Sequence, residues 1–118
     1  MPQVNSYTPK PDAPEATLVV SATKTDVIDL YGTTLLGFIT DTNLTGTAIT
    51  FEVCDTVDGT FVELRGSDNT AVSFTVATAK AYHVNPQHFA AWRFMKLVSG
   101  TTQATNPSVF KILADDIA

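Results

Sequence analysis

Apolar and polar residues alternate along much of this chain with a period of two. Residues 47–54 show it most clearly: Ile49, Phe51 and Val53 share one side, while Thr50, Glu52 and Cys54 share the other. A strand sends successive side chains to opposite faces, so this pattern predicts a half-buried strand. Similar habits predict strands over 17–22, 26–30, 60–65, 70–76, 80–84, 92–98 and 108–114. In 26–30, Ile28 and Leu30 fall together; in 60–65, Leu64 falls with Phe61 or Val62; in 70–76, Val72, Phe74 and Val76 share a face. The segment 33–40 (TTLLGFIT) is more continuously apolar, which predicts a strand covered on both faces.

Turn residues separate these runs. Asp58-Gly59 is a hairpin signal, because a tight turn there wants a residue with positive φ. Gly46, the run Gly66-Ser67-Asp68-Asn69, and Gly100 mark further turns. Asn85-Pro86 reads as a helix cap followed by proline at the first helical position, opening one or two turns over 86–90. No segment sustains a 3.6-residue period. Eight or nine short strands in about 100 residues predict an all-β fold: a two-sheet antiparallel β-sandwich of jelly-roll type. Residues 1–16 stand apart. Pro2, Pro9, Pro11 and Pro14 put four of the six prolines there. Proline fixes φ and lacks an N–H, so the segment predicts an extended N-terminal arm, with the sandwich occupying 17–118.

Composition narrows the function. The 118 residues are 44% hydrophobic but only 16% charged, against about 25% in an ordinary soluble domain. That is too apolar for a disordered chain. The net charge is −5 and the basic residues are scattered singly, which argues against a nucleic-acid partner. No apolar run is long enough for a membrane-spanning helix. Threonine stands at 19 positions in place of the missing charge. The lone Cys54 can form no internal disulfide, and the first residues lack a charged-then-apolar leader, so synthesis in a reducing cytoplasm is expected. The glycosylation-type triplet Asn43-Leu44-Thr45 then carries no meaning.

Several residues could carry chemistry. Asp41, Asn43, Thr45, Gly46 and Glu52 fall at positions 1, 3, 5, 6 and 12 of an EF-hand-like calcium loop. That loop needs flanking helices, whereas strands are predicted on both sides, so a simple Asx-type turn competes with it. His83 and His88 lack the further ligands a zinc site needs. Cys54 with either histidine could form a thiol–imidazole pair, but no third orienting group is in view, and a small buried filler is the simpler account. Trp92, Tyr82, Tyr31 and Tyr7 are candidates for a sugar-stacking platform, although Trp92 opens a strand and reads as core. Arg93 and Lys96 are expected to bury their stems and keep their charges at an edge. These features predict no enzyme and no cofactor.

A resemblance adds to this. Leu36-Gly37-Phe38-Ile39, then Asp55-Thr56-Val57-Asp58-Gly59, then Pro86, Phe89 and Arg93-Phe94-Met95-Lys96-Leu97 form a layout over residues 33–102. It resembles small virion proteins of tailed bacteriophages, with Asp55 where serine is commoner, and is similar to galactose-binding-like jelly rolls such as discoidin domains. The resemblance carries over no catalytic residue. It implies a non-enzymatic virion structural protein: a capsid decoration or cement protein binding and stabilising the outside of a phage head. The alternative is a tail- or fibre-associated host-recognition or carbohydrate-binding module. The implied partners are the major capsid protein and further copies of the chain, a trimer being favoured, with no nucleic acid and no membrane. The implied location is the capsid exterior, after synthesis in the host cytoplasm. The candidate partner-binding residues lie in the arm: Pro2, Tyr7, Pro9, Pro11 and Pro14.

Overall fold

The computed structural model describes residues 15–30, 33–56 and 58–115. Pro2, Tyr7, Pro9, Pro11, Pro14 and Tyr31 lie outside them, as does the expected arm up to residue 14. The described residues form β1 (Glu15–Leu18), β2 (Ile28–Asp29), β3 (Thr34–Ile39), β4 (Ala48–Cys54), β5 (Val62–Glu63), β6 (Phe74–Thr75), β7 (Ala81–His83), β8 (Phe94–Ser99) and β9 (Ser108–Asp115). One 3₁₀ turn spans Pro86–His88. Asn85 caps it as expected, its side chain accepting from the Gln87 N–H.

All pairings are antiparallel and nested. β1 pairs β9, β2 pairs β8, β3 pairs β7, and β4 pairs both β5 and β6. Folding such a ribbon over itself gives one sheet ordered β1-β9-β3-β7 and another ordered β2-β8-β4-β5, with β6 also on β4. This is the jelly-roll arrangement that the strand count predicted. β5 and β6 lie along the same edge of β4, opposite Glu52–Val53 and Ala48–Ile49. Between them residues 64–73 leave the edge as a loop, closed by the Gly66 N–H donating to the Thr70 carbonyl (2.9 Å). The strands expected over 60–65 and 70–76 therefore shrink to two residues each.

β1 starts earlier than its predicted bound, taking in Glu15 and Ala16, and Ala16 is fully buried. It stops at Leu18 because 19–22 form a turn, with the Ala22 N–H donating to the Val19 carbonyl and Ser21 at φ 71°. β3 is not covered on both faces. The register on β9 shifts between Leu35 and Gly37, leaving Leu36 as an extra residue. This bulge turns both Leu35 and Phe38 inward, so the run looks continuously apolar although Leu36 and Ile39 sit half-buried outside.

Phe38 is the centre of the core. Its ring lies 6.1 Å from that of Phe51 on the other sheet, 6.3 Å from Phe110, 5.4 Å from Phe74 and 5.4 Å from Tyr82. Phe51 adds an edge-on contact with Phe89 at 5.0 Å. Edge-to-face and offset rings each contribute about 0.5–1.5 kcal/mol beyond the area they bury. Ile49, Leu97, Met95 and Ile112 fill the space between the sheets. Phe38→Ala is expected to lower the unfolding free energy by about 3–5 kcal/mol, and Leu113→Ala, on the outer face, by less than ~1 kcal/mol. Urea denaturation measures both, and a Phe38→Ala loss no larger than that of Leu113→Ala would contradict this core.

Candidate functional site

The two outer faces of the sandwich differ in chemistry. Alternation on β9 sends Phe110 and Ile112 inward and leaves Val109, Lys111 and Leu113 outward. Register then places Leu113 beside Gly37 and His83, and Lys111 between Glu15 and Ile39. Leu113 is 43% exposed. Its Cδ1 would lie 3.9 Å from a Cβ built on Gly37, and the same Cβ would stand 2.7 Å from the Tyr82 carbonyl oxygen, so only glycine fits there. Leu36, Ile39 and Val109 lie half-buried near Leu113, so this face is largely aliphatic. One charge, Lys111, stands within it, between Val109 and Leu113 on the inner strand β9 and opposite Ile39.

The outer face of the five-stranded sheet is instead laced with charge. Lys24 pairs with Glu52 at 2.8 Å and Arg65 with Glu63 at 2.8 Å. Glu52 and Glu63 stand directly opposite each other, an unfavourable pairing that the two cations offset. Arg93 holds Asp29 through two bonds of 3.0 Å and lies over the Phe94 ring, while Lys96 lies 4.6 Å over the Phe61 ring. Arg93 and Lys96 thus keep their charges at the surface, but on the face of the sheet and not at the expected edge, since β8 lies between β2 and β4. The edges of both sheets are short, two to four residues, and the Thr17 N–H on β1 donates to Asp26. Such edges offer little ladder for a strand from another subunit.

The residues singled out for chemistry are mostly engaged in holding the fold. Asp41 accepts from the Asn43 N–H (2.9 Å), the Ser108 hydroxyl (2.8 Å) and the Val109 N–H (2.7 Å). Glu52, the twelfth position of the calcium pattern, lies on the outer face of β4 in its pair with Lys24. No group of three or more His, Cys, Asp or Glu side chains among the described residues could hold a metal. The 41–47 segment is the Asx-type turn. Cys54 and His83 occupy the outer faces of different sheets and do not meet. The Cys54 thiol is buried under the 55–61 turn, within 3.9 Å of Asp55 and Thr56 oxygens. A Cβ on Gly59 would come within 2.4 Å of that sulfur. Glycine is needed in this turn for space; its φ is not in the left-handed region, contrary to the expectation. Tyr82 is no platform, since its ring stacks on Phe38 and its hydroxyl accepts from the Ala77 N–H (2.6 Å).

Gln103 drew no notice in the sequence, yet it organises one end of the sandwich. It is 1% exposed. Its amide oxygen accepts from the Thr45 N–H (3.1 Å), and its amide nitrogen donates to the Asn43 and Asn106 carbonyls. Its own backbone exchanges bonds with Ser21 and Ala22. Side chain and backbone of one buried residue together tie three loops, and no periodic pattern marks it. Threonine plays the same part elsewhere. Thr34 donates to the Pro86 carbonyl (2.6 Å), Thr40 to Ala77 (2.6 Å), and Thr25 accepts from the Leu97 N–H (3.0 Å), all three buried.

A cleft opens where the 64–73 loop faces the 85–92 segment. One lobe of about 650 Å³ is lined by Val53, Val62, Leu64 and Trp92 with Arg65 and Gln87 at its rim. A second, of about 310 Å³, reaches Thr70, Ser73 and Phe74. Gly66, Asn85 and His88 border both. Trp92 packs against the core but also lines this cleft, so this aromatic candidate stands at a concave surface. Gln103→Leu is expected to cost about 1–2 kcal/mol, because it removes the bonds to the Thr45 N–H and to the Asn43 and Asn106 carbonyls. Millimolar calcium is expected to leave the thermal midpoint unchanged. Thermal and urea unfolding check both; a calcium-dependent rise in midpoint would contradict the structural role given to Asp41. Compared with known protein families, curated proteins and solved structures, the chain matches none.

Proposed function

We propose that this chain is a non-enzymatic structural protein of a virion, docking as a decoration or cement protein on the outside of a phage head. The observation that carries the docking role is the outer face of the four-stranded sheet, where Leu113, Ile39 and Val109 are gathered around Lys111. Interface centres are depleted in charge, and a stable contact buries about 800 Å² per partner. A sheet face is the part of this molecule broad enough for that, since its edges are short. Supporting it, Glu15 begins β1 at one border of the same sheet, so residues 1–14 join the domain beside the face they would help to dock.

The virion setting rests on the resemblance of residues 33–102 to small phage virion proteins. The major capsid protein is then the partner, and repeated copies cluster by symmetry, a trimer being favoured. Asp41, Arg93, Cys54 and the buried threonines support a structural role in another way, because their polar groups are spent on loops and turns.

Ile39→Lys with Leu113→Lys is expected to weaken binding to purified heads lacking the protein at least about tenfold, or ~1.4 kcal/mol. Thermal stability should change little, since both side chains face outward. Deleting residues 1–14 should lower occupancy as well. A control, Lys24→Ala on the charged face, should bind as the parent does. Sedimentation of heads with bound protein measures all of these. Undiminished occupancy with both lysines in place would overturn the assignment of this face.

A further inference from the structure

Lys111 is a charge set inside the face assigned above to docking. Alternation on β9 turns it outward between Val109 and Leu113, and register sets it between Ile39 on β3 and Glu15 on β1. Its side chain is exposed and makes no ion pair among the described residues. Glu15 is directly opposite, within reach of a long side chain, yet the two do not bond. Asp115 stands four residues further along β9, about 13 Å away. The cations of the other sheet are differently placed. Lys24, Arg65 and Arg93 each hold a carboxylate, and Lys96 lies over the Phe61 ring. Lys111 instead keeps its three N–H donors for water.

Docking removes that water. An ammonium enclosed among Ile39, Val109 and Leu113 without a partner is strongly unfavourable, whereas one met by a carboxylate is not. We propose that the surface covering this face is apolar with an Asp or Glu carboxylate at its centre, and that Lys111 fixes the register of docking by pairing with it. The proposal rests on the docking role given to the face and adds the chemistry of the partner. A second copy of the chain fits the face poorly. A two-fold contact centred here would bring one Lys111 against the other, and like charges enclosed together repel. The occupant is therefore a different protein. Charge matching of this kind excludes wrong partners and wrong orientations, which the aliphatic side chains around Lys111 cannot do by themselves.

The test is sedimentation of the full chain with purified heads lacking it. Lys111→Met keeps the length of the side chain and removes its charge. It should weaken binding at least about tenfold, because it leaves the partner's carboxylate enclosed and unpaired. Lys111→Glu should weaken it further, and Lys111→Arg should retain it. Melting midpoints should stay equal, since the side chain is exposed. In the bound particle a carbodiimide should join the Lys111 amine to a head-protein Asp or Glu as an amide, read by mass spectrometry, and Lys111→Arg should bind without that link. Lys111→Met binding as tightly as the parent, or more tightly, would overturn the proposal, because an aliphatic face that meets no acid gains from losing the charge. Glu15→Gln weakening binding as much as Lys111→Met would overturn it too, since the lysine would then be paired within its own chain. Loss of binding in Ile39→Lys with Leu113→Lys, but not in Lys111→Met, would leave the face standing and remove only the carboxylate. A parent that does not bind, or binding unaltered in all these variants, would remove the docking role and the proposal with it.

Discussion

The fold depends on Phe38 reaching across to Phe51 from a strand whose bulge also turns Leu35 inward. In plain alternation Leu35 and Phe38, three positions apart, would point to opposite faces, and one of them would be lost to the core. The bulge returns both to the interior and lets the Phe38 ring touch Phe51, Phe74, Tyr82 and Phe110. Those rings come from both sheets, so the same residue that closes the sandwich also fixes which side chains remain outside. Leu36, Ile39 and Leu113 are outward because Phe38 and Ile112 are inward. The aliphatic outer face is in this sense a consequence of the core.

The polar end of the molecule follows a complementary rule. Loops between strands of different sheets leave backbone groups that the ladders cannot satisfy, and buried ones must find partners. Gln103, Asp41, Thr40 and Thr34 supply them. This gives the abundance of threonine a second meaning besides strand preference. A threonine can face the core with its methyl group and still serve a carbonyl, which a valine in the same place could not do. Low charge and high threonine content together describe a domain whose polar groups are largely committed to its own loops.

Much of this was legible in the residues. The inward set Ile49, Phe51 and Val53 follows directly from a period of two; in the 92–98 run the side of Trp92, Phe94 and Val98 read as core, whereas Met95 and Leu97 are the residues that enter it. The Asn85-Pro86 cap is a local pairing of side chain with backbone, so it reads locally too. What stayed hidden is what alternation does not encode. It says which face a residue takes, not which strand lies beside it. The division of one edge into β5 and β6 around the 64–73 loop was therefore invisible, and with it the cleft that Trp92 lines. The bulge at Leu36 looked like a strand buried on both faces. Gly59 looked like a positive-φ residue, whereas the Cys54 sulfur beneath it is the reason for glycine. Gln103 is held by the segments at 21–22 and 43–45, both distant in sequence, and nothing near it foretells that.

The outcome is a sandwich with unlike sides: one sheet laced with ion pairs, the other presenting aliphatic side chains around Lys111. Exposed ion pairs add little stability and keep water close, while an aliphatic face releases water when it is covered. The most direct measurement is hydroxyl-radical footprinting of the protein free and in purified particles. The account predicts that Leu113 and Ile39 become strongly protected in the particle while Phe61, on the charged side, stays as reactive as in the free protein. Equal reactivity of Leu113 in both states, or protection confined to Phe61, would contradict it.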